Sequence, residues 1–67
     1  MTDSQILRDK IEQSGYKLGF IALSLNLTRQ GLRKKLDNES EFKASEIQSL
    51  KNLLKLTNKE RDEIFFK

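Results

Sequence analysis

The chain has 67 residues, with 13 Lys or Arg against 10 Asp or Glu and neither cysteine nor histidine. A fold of this size buries only about 60% of the surface that its unfolded chain exposes. Without thiols and imidazoles there are no disulfides, no Cys/His metal sites and no Ser–His or Cys–His nucleophile pair, so helix packing or pairing with a second copy has to supply stability.

A cysteine-free chain fits a reducing compartment. Met1 is followed by no basic lead-in to a long apolar run, and no apolar stretch approaches the roughly 18 residues of a membrane helix. The expectation is a cytoplasmic protein that does not enter a membrane. Proline is absent and glycine occurs only at 15, 19 and 31, which leaves no linker or low-complexity segment. Apolar residues recur at helical spacing nearly everywhere, and the expected fold is all-α, one domain over 1–67, a compact bundle of about five short helices.

The first helix is expected over about 4–14, capped by Asp3 or Ser4, with Ile6, Leu7 and Ile11 on its apolar face and Gly15 as a left-handed stop. The second starts near Lys17. Its Leu18, Ile21, Ala22 and Leu25 stand at i, i+3, i+4 and i+7, one buried stripe, and Asn26 tolerates the positive φ of a tight turn. Leu27 plugs that turn, and Thr28 caps a third helix over about 29–37. Residues 37–41 form a polar turn followed by Phe42 as a buried anchor. A fourth helix from Ala44 carries Ile47, Leu50, Leu53 and Leu54 on one face. Thr57-Asn58-Lys59-Glu60 reads as a capping box for a short fifth helix that ends with Ile64, Phe65 and Phe66.

Net charge is only +3, but residues 29–35 hold four cations and no acid. At 100° per residue Leu32 and Leu36 share one side of the third helix, Gln30, Arg33 and Lys34 point the other way, and Arg29 and Lys35 flank them. Leucines that fix a helix to the protein body while amide and cationic groups project outward suit a major-groove reader. Arg bonds bidentately to guanine and Gln to adenine, so Arg29, Gln30, Arg33 and Lys34 are the candidate base contacts. Lys17, Thr28, Lys35, Asn38, Ser40 and Lys43 are the candidate phosphate contacts, which position without reading sequence. The competing reading of the patch is a solvated helix face.

Residues 15–36 resemble, without a gap, the helix-turn-helix of the lambda repressor/Cro-like family, with the motif over about 17–37. Ala22 falls where that family keeps a small residue between the two helices, Asn26 where it often has the turn glycine, and Thr28 at the recognition-helix cap. Residues 38–47 look like the loop and fourth helix of small phage and prophage members, and the likeness spans roughly 5–66. It implies a bacterial or phage transcription regulator, a homodimer on a two-fold operator, with the positions of Arg29, Gln30, Arg33 and Lys34 facing bases. Helix two departs from the family pattern: Leu18 replaces a frequent phosphate-bonding Gln, and Phe20 and Leu23 replace frequent polar residues.

Phe20 and Leu23 are therefore candidate partner contacts, although packing against helix one or the C-terminal segment is the preferred reading. Leu53, Phe65 and Phe66 are candidate dimer contacts that compete with a core role. Adjacent helical residues point about 100° apart, so one of the two phenylalanines is expected to face outward. Glu39 and Glu41 have no apolar pocket to raise a carboxyl pKa, and no cofactor, metal or enzymatic role is expected. The alternative function is a protein–protein modulator of anti-repressor type that keeps the fold but binds another regulator.

Overall fold

Five α-helices make up the residues 1–66 described by the computed structural model: α1 (Ser4–Ser14), α2 (Leu18–Ser24), α3 (Arg29–Leu36), α4 (Ala44–Leu53) and α5 (Asn58–Phe65). No strand occurs among the described residues, and the fold is the expected all-α bundle. Lys67, the last residue of the expected domain, lies outside them. No described helix is long and apolar enough to cross a membrane.

Side-chain caps set the starts of α1, α3 and α5. Asp3 accepts from the Ile6 amide at 3.2 Å, and Thr28 accepts from that of Gly31 at 2.9 Å. Thr57 and Glu60 form a reciprocal box, each carboxylate or hydroxyl oxygen taking the other residue's backbone N–H at 2.9 and 3.1 Å. The second and third helices are slightly shorter than expected: Lys17 is the N-cap of α2 and Asp37 the C-cap of α3.

Left-handed residues set the ends. Gly15 closes α1 at φ 77°, and Asn26, Asn38 and Lys55 follow α2, α3 and α4 at φ 60°, 61° and 54°. The last three share one hydrogen-bond pattern, a six-residue bond enclosing a four-residue one. Leu27 N bonds Ala22 O at 2.8 Å, Glu39 N bonds Lys34 O at 2.8 Å and Leu56 N bonds Lys51 O at 2.9 Å. This Schellman arrangement satisfies carbonyls that a helix end leaves orphaned. Asparagine tolerates the conformation, whereas lysine bears its steric cost.

One hydrophobic cluster takes residues from all five helices. Leu7, Ile21, Leu32, Leu36, Leu50 and Ile64 are its fully buried side chains. Phe42 anchors the loop before α4 and meets Phe65 edge-on, with ring centroids 5.5 Å apart. In the bundle α2 packs on α3, α1 on both α3 and α5, and α4 on α5. Chain entry is stapled as well: Asp3 N donates to Ile64 O at 2.7 Å, and Ser4 Oγ donates to Leu36 O.

The α1–α5 seam carries an ion pair between Lys10 and Glu60. The hydrogen bond from the Lys10 ammonium, followed by that from the Thr57 amide, holds the Glu60 carboxyl down at about 2. A carboxyl whose pKa is depressed by folding stabilises the fold above its unfolded value, and that contribution is lost as pH falls.

Two outcomes are expected. Thermal melts show a falling Tm between about pH 4.5 and pH 2, and Glu60→Gln lowers Tm at neutral pH while flattening this acid limb. Lys55→Gly relieves the left-handed backbone and raises stability by about 0.5–1 kcal/mol, a gain of a few degrees in Tm.

Candidate nucleic-acid interface

Rotation of α3 about its axis decides which groups reach solvent. Leu32 and Leu36 are fully buried, and the turn before the helix is locked by the Leu27–Ala22 bond and by Leu27 packed against the core. Arg29, Gln30, Arg33 and Lys34 are consequently all exposed. They occupy one continuous arc of about 140° on a helical wheel at 100° per residue. Lys17 and Lys43, the N-caps of α2 and α4, are also exposed, as are Thr28 and Ser40. The Thr28 hydroxyl accepts the Gly31 amide and keeps its own proton to donate.

Lys35 is a correction. Instead of facing a phosphate, it is 9% exposed, and its Nζ donates to Glu46 Oε1 at 2.6 Å and stands 6.0 Å from the centre of the Phe42 ring. The same Glu46 oxygen accepts the Lys43 amide at 2.8 Å, so one carboxylate caps α4 and ties it to the end of α3. Burial opposes ionisation of Glu46, but the Lys35 and Lys43 hydrogen bonds and their charges outweigh it, and its pKa lies below the ordinary value. The wheel carried the signal: Lys35 is three positions, or 60°, from Leu32 and belongs to the edge of the buried face. Glu46 went unnoticed because Lys43 stands where a capping box has Ser or Thr.

Asn38 is engaged as well. Its Nδ2 donates to Thr2 O and Ser4 Oγ, each at 3.0 Å, while its Oδ1 accepts the Thr2 amide at 3.0 Å. Both amide protons are spent on the N-terminal segment, so this side chain has none left for a phosphate.

The apolar candidates divide. Phe65 is buried and offers no free contact surface, whereas Leu53 is half-buried, packed against the core with part of its side chain still accessible. Phe66 faces outward at 63% exposure, beside a surface cleft of about 240 Å³ lined by Met1, Phe42, Ile47 and Phe65. Phe20 and Leu23 are not covered as preferred: they are 48% and 77% exposed, and Phe20 stacks on Tyr16, at 5.0 Å between ring centroids. A lone i, i+3 pair off the main stripe gave no sign of which neighbour would cover it.

Charge pairing separates two populations of cations. Arg8 pairs with Asp37 at 2.7 Å, Lys10 with Glu60, Lys35 with Glu46 and Arg61 with Asp62. Lys17, Arg29, Arg33, Lys34 and Lys43 have no ion-pair partner among the described residues, and neither have Lys51, Lys55 and Lys59 along α4, its following turn and α5. Asp37, the first acid after α3, is drawn away to α1 by Arg8. Arg33 and Lys34 complement the negative end of the α3 dipole, whereas Arg29 stands in the first turn, where that dipole disfavours a cation.

No family model, curated protein or solved structure matches the chain.

Lys35→Met keeps the aliphatic stem but strands the Glu46 carboxylate; urea unfolding is expected to show a loss of about 3 kcal/mol. Adding Glu46→Gln to that variant returns part of it, because the amide oxygen still caps Lys43.

Proposed function

We propose that the chain is a sequence-specific duplex-DNA-binding transcription regulator of helix-turn-helix type, a phage or prophage repressor or Cro-like protein, which lays α3 in the major groove. The observation that carries this reading is the α3 face itself: four exposed polar or cationic side chains, no acid, and no ion-pair partner among the described residues. DNA presents one negative charge per roughly 1.7 Å of axis, and a cation left unpaired on the protein gains by releasing its counterions. The α2–α3 pair, joined by a four-residue turn, has the element order in which the second helix enters the groove. Arg29, Gln30, Arg33 and Lys34 are the α3 groups available to the groove in this reading, with Lys17, Thr28, Ser40 and Lys43 along the backbone.

A single short α3 reads few base pairs, and a homodimer on a two-fold site doubles that number. Phe66 and its cleft support a contact between copies. A second reading, a modulator that binds another regulator, is favoured by the exposed Tyr16, Phe20 and Leu23.

Selection from a random duplex pool, followed by titration at several salt concentrations, tests the proposal. A preferred sequence with two-fold half-sites about one helical turn apart is expected. Arg33→Ala costs about 1–3 kcal/mol at one base pair of each half-site and relaxes preference there. Lys43→Ala lowers the salt slope by about one for all sequences, whereas Lys35→Met leaves that slope unchanged. Absence of salt-sensitive duplex binding would sink the proposal. A stoichiometric protein partner lost on Phe20→Ser/Leu23→Ser would then favour the second reading.

A further inference from the structure

Gly19 occupies the second position of α2, half-buried. Its φ is not positive, since Gly15 is the one described glycine in that region, so backbone geometry does not require a glycine there. Inside a helix glycine is less stable than alanine. The Arg29 side chain closely borders the space that a Cβ would take. A Cβ on Gly19 would stand 3.1 Å from Arg29 Nη2, 3.7 Å from Nε and 3.9 Å from Cζ. The guanidinium therefore lies back across the first turn of α2.

Three further facts bear on the role of Arg29. It has no ion-pair partner among the described residues. It stands in the first turn of α3, which contains no acid and where a cation opposes the helix dipole. Its guanidinium leans toward α2, two positions along from the exposed Lys17, rather than outward with Gln30, Arg33 and Lys34. A locally unfavourable cation held over a neighbouring helix is suited to a bound anion.

On the reading of the chain as a duplex-DNA binder, the geometry points to Arg29 as a phosphate clamp rather than a base reader, and to Gly19 as the positioning residue that admits it. The planar guanidinium, seated on the bare backbone of Gly19, presents its fork of donors to a phosphate at the seam between α2 and α3. A Cβ at 19 crowds that fork by a few tenths of an ångström and a longer side chain crowds it further, and the three atoms nearest the Cβ all belong to the flexible end of the arginine.

The experiment is a salt titration of duplex binding for Gly19→Ala, Gly19→Leu, Arg29→Ala and Gly19→Leu/Arg29→Ala, with Tm measured for each. Gly19→Ala is expected to keep or raise Tm and to weaken binding. Gly19→Leu and Arg29→Ala each weaken binding to every duplex alike, by about eightfold at 0.1 M salt, and lower the salt slope by about one, the weight of a single phosphate contact. The double variant binds no worse than Arg29→Ala alone. Wild-type affinity and slope in both Gly19 variants would overturn the inference, as would loss of preference at one base pair in Arg29→Ala. Those results leave the DNA reading standing, whereas a wild-type chain that binds no duplex ends both. If Gly19→Leu fails to fold, Gly19→Ala, Arg29→Ala and the double Gly19→Ala/Arg29→Ala decide the matter by their coupling.

Discussion

The fold and the site both depend on how α3 is held against the rest of the bundle. A helix of eight residues is too short to persist alone in water, so its existence and its orientation come from tertiary packing. Leu32 and Leu36 supply the apolar part of the grip, and Lys35 supplies a polar part through Glu46. Three buried positions out of eight define the rotation of the helix, since turning it by one residue would expose a leucine and bury a guanidinium. Burial of an unpaired charge is far more costly than leaving it exposed to solvent. The exposed cations are thus a consequence of the core.

Short helices also need well-made ends, and here the ends connect the elements. The left-handed Asn38 closes α3 while its side chain binds Thr2 and Ser4, which brings the start of the chain to the finish of the third helix. Asp3 then caps α1 and donates its amide to the last turn of α5. Glu46 repeats the device at the other side, capping α4 while holding α3. In each case one polar residue serves a helix terminus and a neighbouring element together, through its side chain, its backbone or both, which suits a bundle with little interior to spare.

Ion pairing divides labour among the charges. Asp37 and Glu46 are engaged by Arg8 and Lys35, whereas the outward cations of α3 form no ion pair among the described residues, not even with Glu39 and Glu41 in the loop that follows. Exposed pairs such as Arg8 with Asp37 add little stability. Their larger effect is on the field: Arg8 offsets the Asp37 charge at the C-terminal end of α3. A bundle that needed only stability would place acids in the first turn of that helix rather than Arg29.

Much of this protein was written in local sequence. The spacing of apolar residues, the Asp3, Thr28 and Thr57 caps, the Gly15 and Asn26 stops and the anchoring Phe42 all follow from rules acting within about seven residues, and the structure agrees with each. So does the outward turn of one of the two final phenylalanines. Tertiary structure alone decided four matters: Lys35 went inward to an acid eleven residues on, Asn38 bound the N-terminal segment, Phe20 and Leu23 stayed uncovered, and Arg29 settled on Gly19. Each depends on which distant element arrives beside a side chain. Periodicity gives the face a residue occupies on its own helix, but the partner that meets that face is chosen only when the whole core closes.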